Sequence, residues 1–185
     1  MTKFDGYEPV TLRTPRLSLE PLCAAHAAEM FDALSDPNHY TFIPQQPPAS
    51  LDILRERYQR LESRRSPNGR ELWLNWAIRL ASGEAAGLVQ ATGYPEGRAG
   101  IAYELFAAFQ GTGVATDAVR AALLHLRDDA GLTTASALVD TRNVKSVALL
   151  ERLGFVRTRH IKDADFFKGA TSDEYEYQLE LRRLA

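Results

Sequence analysis

The residues best suited to chemistry in this chain are two glycines and two threonines in Phe109–Val119, FQGTGVATDAV, between an apolar run and an amphipathic one. A helix begins with about four main-chain N–H groups that lack an intrahelical acceptor, and its aligned peptide dipoles add roughly half a positive charge there. An anion at such an end is held by the main chain. Gly111 and Gly113 would let that main chain come close and adopt positive φ, where a side chain would be strained. The stretch therefore reads as a phosphate cradle, with a plain strand-to-helix turn as the alternative. Other reactive side chains are dispersed. His26, His39, His125 and His160 show no metal-ligand spacing and have no Cys partners, so no metal is expected. Cys23 is single and has no visible helper, which makes it a packing residue in a reducing compartment.

The elements around the cradle follow from periodicity. VTLRTPRLSLEPL alternates as a strand interrupted by Pro15, and the Ala-rich CAAHAAEMFDALSD is helical up to Pro37. PNHYTFIPQQPPAS is a loop by its prolines, and Ser50 can cap the next helix, LDILRERYQRLESRR, which SPNG closes. Three strands, ELWLNWAIRL, AAGLVQATGY and AGIAYELF, are separated by SGE and PEGR and form an antiparallel meander. Val119, Ala122, Leu123, Leu126 and Ala130 share one helical face, which Gly131 can end. TTASALVD is a strand, and NVKSVALLERLG is a helix with Asn143 at its cap and Gly154 at its end. FVRTRHI and EYEYQLEL are closing strands joined by a polar, Gly-containing loop. Trp73 and Trp76, three apart on one strand, face opposite ways.

Composition narrows the function classes. The 185 residues suit one domain, expected to span 1–185, with a mixed α+β order and a central, mostly antiparallel sheet. A net charge of −2 gives no global case for nucleic acid, and no apolar run reaches a membrane span, so a cytoplasmic, non-membrane protein is expected. The cationic RERYQRLESRR reads as a solvated face, because Glu56 and Arg60 already stand at i, i+4.

Three phosphate motifs compete for the glycine stretch. A P-loop needs Gly-Lys-Ser/Thr, which does not follow these glycines. A dinucleotide fold wants a third glycine where Thr116 stands, although Asp140 could imitate its ribose acid. The third candidate is the diphosphate of coenzyme A. QGTGVA, Gln110 to Ala115, resembles the Gln/Arg-x-x-Gly-x-Gly/Ala signature of the GCN5-related N-acetyltransferases (GNAT). TPRLSLEPL, NVKSVALLERLGF and DADFFKGATSDEYEYQL resemble the first strand, the Asn-x-x-Ser…Leu-Gly-Phe helix and the C-terminal hairpin of the RimJ/RimL-type branch. Residues from about Asp36 to Arg70 carry no clear match, and the family's acceptor specificity tends to lie there.

The resemblance implies one GNAT-type domain with a splayed strand pair in its sheet, and acetyl transfer from acetyl-CoA to an amine by direct attack. It implies that Gln110, Gly111, Thr112, Gly113, Val114, Ala115 and Thr116 hold the diphosphate, and that Leu105, Phe106 and Asn143 hold the pantetheine arm. Many family members have a Tyr where this chain has Leu150. In the RimL-type subset the position of Ser146 stands near the thioester sulfur and a hairpin carboxylate acts as base. The corresponding residue here is Asp165, with a solvated loop acid as its alternative reading. Glu104, on the strand beside the pantetheine, is the other candidate base; it could instead face solvent or pair with an Arg. A weak base assembly favours an acceptor such as a protein N-terminal α-amine, since α-amines titrate near 7.7–8.0 and Lys near 10.4. A small-molecule amine is the alternative within enzymes, because Asp163 and Asp165 would suit a cationic acceptor; a catalytically weak CoA-binding sensor is the alternative outside them. No direct nucleic-acid contact is implied, and a homodimer is allowed for.

Overall fold

A computed structural model describes residues 4 and 6–184, so the outermost residues of the expected 1–185 domain lie outside the described ones. The strands β1 (Leu12–Arg13), β2 (Leu17–Pro21), β3 (Leu72–Leu80), β4 (Ala85–Gly93), β5 (Arg98–Leu105), β6 (Thr134–Asp140), β7 (Val156–Phe167) and β8 (Ala170–Glu180) form one sheet. Their order is β1-β2-β3-β4-β5-β6-β8-β7. Among the described strands β5 and β6 are the parallel pair, and the other neighbours run antiparallel. The helices are α1 (His26–Leu34), α2 (Leu51–Leu61), α3 (Val114–Asp128) and α4 (Val144–Arg152). This is the α+β, mostly antiparallel architecture expected from the sequence. None of the described helices is long and apolar enough to cross a membrane.

Alternation along β3 sorts the two faces of the sheet. Leu72, Leu74, Trp76 and Ile78 turn to one face, where α3 lays down Val114, Ala118, Val119, Ala122, Leu123 and Leu126. Ala77 turns to the other, where Leu88 and Phe106 meet Leu22, Met30 and Leu34 of the α1 side and Leu54 and Tyr58 of α2. Trp76 is fully buried, while Trp73 lies on the opposite face. Helices α1 and α2 cover that second face only in part. Beside them remains an open cavity of about 490 Å³, lined by Trp73, Asn75, Gln90, Thr92, Ser136 and Leu138 among others.

Two expectations are corrected. The first alternating segment is a hairpin rather than one interrupted strand: Thr14 N–H donates to Leu17 O at 2.9 Å, and β1 folds back to set Leu12 against Leu19. The polar loop expected between the last two strands is also strand. β7 runs on to Phe167, β8 begins at Ala170, and the turn is Lys168-Gly169 with φ 53° and 79°. β7 is an edge strand exposed along most of its length, so its residues show little hydrophobic alternation; pairing with β8, bulged between Arg157 and Arg159 and between Ile161 and Asp165, makes it a strand. Asp165 therefore stands on a strand, opposite Ser172.

Candidate active site at the splayed strands

β5 and β6 share rungs only from Arg98↔Thr134 to Gly100↔Ser136, and beyond Ile101 and Ala137 they part. Into that gap open the glycine turn, the first turn of α4 and the end of β5. Gly111 and Gly113 have φ of 77° and 84°, the conformation expected of them, and Gly113 is the N-cap of α3. The first N–H of this turn to reach a main-chain carbonyl is that of Asp117, 3.1 Å from Gly113 O. Among the described residues, the N–H groups of 111 to 116 have no protein acceptor. That is the donor set an anion at a helix start requires. Side chains brace the turn: Thr112 Oγ1 donates to Phe109 O at 2.6 Å, and Gln110 Nε2 to Leu105 O at 3.2 Å.

Cations surround the same turn, and their sequence context does not announce them. Arg16, from the β1–β2 hairpin, donates to Thr112 O and to Asp117 Oδ2, each at 2.9 Å. Lys145 of α4 reaches Gln110 Oε1 at 3.1 Å, and Arg152 reaches Thr116 Oγ1 at 3.4 Å. A diphosphate would thus meet free amides inside a positive rim, although the chain as a whole is acidic. The donor set and its charge fit the phosphates of acetyl-CoA.

The strand end offers less main chain than the resemblance implied. Phe106 N–H donates to Ala86 O on β4 at 2.9 Å, and the Phe106 ring is buried between the sheet and α1–α2. N–H directions alternate along a strand, so Leu105 and Tyr103 turn theirs toward the gap. At the mouth of α4, Asn143 Oδ1 caps the helix by accepting Ser146 N–H at 3.2 Å. Tyr103 OH crosses the gap to donate to Ser146 O at 3.3 Å, and burial pushes that phenol up to about 12. Leu150, where many relatives have Tyr, is buried in the core.

Glu104 is mostly buried and, among the described residues, pairs with a histidine rather than an arginine. Its Oε2 lies 2.8 Å from His39 Nε2, in a contact that joins β5 to the proline-rich loop; the two side chains are 21% and 7% exposed. The loop carries His39 on a short 3-10 turn, Pro37–Tyr40, that Asp36 caps by accepting Asn38 N–H. The pairing is not legible in the sequence, since 65 residues separate the partners. The hairpin turn closes on the same loop, where Lys168 Nζ donates to Tyr40 O.

Asp165 and Ser146 are not brought into hydrogen-bond contact. Asp165 Oδ1 accepts the N–H of its neighbour Phe166 at 2.8 Å. Burial, and then the charges of Asp165 and Asp140, hold the Glu174 carboxyl above the usual carboxylate range. Asp140, at the end of β6, behaves in the opposite way. Burial pushes it up, but the Arg142 guanidinium at 2.6 Å, the Ser172 hydroxyl at 2.6 Å and the Arg142 N–H outweigh this and hold it low. Asp140 is thus engaged by its own chain, and the sheet is not a continuing parallel one, which removes the dinucleotide alternative. Cys23 does have a neighbour: its Sγ lies 3.2 Å from His26 Nδ1, the atom that also accepts Cys23 N–H. Among the described residues, no group of three or more His, Cys, Asp or Glu converges as a metal site would.

Comparison with known proteins supports the fold. The acetyltransferase (GNAT) domain family matches residues 16–156. No curated protein matches the sequence. Among solved structures, a candidate acetyltransferase from T. thermophilus is 27% identical over 95% of this chain and 91% of its own, with a TM-score of 0.77. The RimL ribosomal L7/L12 α-N-protein acetyltransferase in complex with coenzyme A is 19% identical over 92% and 98%, with a TM-score of 0.82. Spermidine N-acetyltransferase from Vibrio cholerae, in complex with CoA and spermine, is 21% identical over 92% and 98%, with a TM-score of 0.78. At those two identities the likeness is one of fold.

Proposed function

Because this chain belongs to the acetyltransferase (GNAT) domain family, we propose that it is an N-acetyltransferase of the RimJ/RimL type, moving the acetyl group of acetyl-CoA to an amine. Acetyl-CoA would supply the acetyl group and leave as the free thiol. Residues Gln110 to Thr116 bind its diphosphate through their amides, and Arg16, Lys145 and Arg152 offset the phosphate charge. Leu105 and Asn143 hold the pantetheine arm, while the buried Phe106 shapes its wall.

The contact that carries the reading is Glu104 against His39 at 2.8 Å, beside the gap between β5 and β6. An attacking ammonium must first lose a proton, and Glu104 is the base placed to take it. His39 orients that carboxylate. The amine nitrogen then bonds to the acetyl carbon as the carbon–sulfur bond breaks, and the departing sulfur takes a proton or a hydrogen bond. Ser146, at the mouth of α4 and held there by Asn143 and Tyr103, is the hydroxyl closest in role to that sulfur. Asp165 acts with Glu174 on the acceptor side, by charge rather than as the base.

For the acceptor we favour a peptide N-terminal α-amine. The open cavity beside the gap is broad and lined by amides and hydroxyls together with Trp73 and Leu138, which suits an extended peptide arm. The second reading is a small cationic amine, favoured by the neighbouring acids Asp165 and Glu174. Release of free thiol from acetyl-CoA, followed across α-amino peptides, free lysine and polyamines, tests both. Faster turnover of peptide α-amines is expected. Turnover of polyamines alone would replace the first acceptor by the second, and no turnover with any amine would leave a CoA-binding sensor.

A further inference from the structure

We propose that Arg16 is the positioning residue of the diphosphate cradle, fixing the Thr112–Gly113 peptide so that the Gly113 N–H faces the ligand. The proposal rests on the reading of this chain as a user of acetyl-CoA. Arg16 belongs to the β1–β2 hairpin, 96 residues away in sequence from the carbonyl that it grips. One end of its guanidinium donates to Thr112 O and the other to Asp117 Oδ2, both at 2.9 Å. Asp117 lies in the first turn of α3, so Arg16 ties the turn to the helix that it opens.

The geometry gives this bridge a directional consequence. In a planar trans peptide the C=O and N–H point opposite ways. Drawing the Thr112 carbonyl toward Arg16 therefore turns the Gly113 N–H away from the hairpin, into the concave side of the turn. Gly113 alone would not settle this, because glycine tolerates several orientations of its flanking peptides. The clearance is also tight: a Cβ on Gly113 would stand 3.2 Å from Arg16 Nη1. Lysine is not an equivalent strut, since one ammonium cannot span both acceptors with a rigid fork.

Calorimetric titration of the full chain with CoA, and with millimolar pantetheine, which lacks the diphosphate, tests the proposal. Arg16→Ala is expected to weaken CoA about tenfold, to leave pantetheine unchanged, and to be partly rescued by Arg16→Lys. Asp117→Asn distinguishes a strut from a direct phosphate ligand: releasing one end of Arg16 should weaken CoA about threefold. If Asp117→Asn binds CoA as well as wild type or better, the strut is overturned. It is equally overturned if Arg16→Ala keeps CoA within about twofold, or loses pantetheine in proportion. Should Arg16→Ala fail to fold, the Lys and Asn variants decide alone. A wild-type chain that ignores CoA would overturn the acetyl-CoA reading itself, a result distinct from any of these.

Discussion

The two ends of the proposed site are built from different materials. The donor end, Gln110 to Thr116 with the cap of α4, is main chain set by local rules: glycine at positive φ, free amides at a helix start, an asparagine cap. The acceptor end is side chains brought together from afar. Glu104 meets His39, Lys168 meets the Tyr40 carbonyl, and burial together with the charge of Asp165 raises Glu174 across the hairpin. A main-chain site tolerates change in most side chains around it. A site made of distant side-chain pairs is re-specified whenever one loop is rebuilt, and in this chain that loop is the proline-rich one that carries His39.

The two ends are joined at Gly87. A Cβ there would lie 2.0 Å from Glu104 O, where β4 meets the end of β5. Gly87→Ala is expected to cost about 3 kcal/mol or more and to lower Tm by about 6–12 °C. A thermal melt within about 2 °C of wild type would show that the strands part freely here. Next comes the acceptor chemistry. Glu104→Gln keeps the shape but removes the proposed base, so kcat with a peptide amine should fall by about two to four orders of magnitude while CoA affinity stays. His39→Asn should cost about tenfold, the smaller loss expected of a group that works through another.

At the donor end the pattern should reverse. Gly113→Ala forces a side chain into the left-handed region at about 1–2 kcal/mol and crowds Arg16, so KM for acetyl-CoA should rise about tenfold with kcat nearly kept. If kcat fell instead, the division between the ends would be wrong. The smallest effect belongs to Glu174. Its folded-state pKa is raised, so its ionisation opposes folding: stability falls as pH climbs through the ordinary carboxylate value and then the raised one. Above both, Glu174→Gln removes the whole penalty and should raise Tm by about 1–2 °C; at about pH 3 the gain should vanish. An equal gain at both pH values would mean that charge is not the cause.

The sequence alone determined the donor end and most of the elements, because these depend on neighbours a few residues apart. Glycine spacing fixed the turn, Ser50 and Asn143 fixed their helix starts, and alternation sorted Trp76 from Trp73. Tertiary structure decided the remainder. The edge strand β7 has no apolar rhythm, because solvent touches both its faces and its pairing alone makes it a strand. The partners of Glu104, Thr112 and Asp165 were settled by packing that places a loop, a hairpin and a bulged strand side by side. A side chain's nearest partner is a property of space rather than of chain distance, so His39 for Glu104 and Arg16 for the glycine turn emerge only once the sheet has folded.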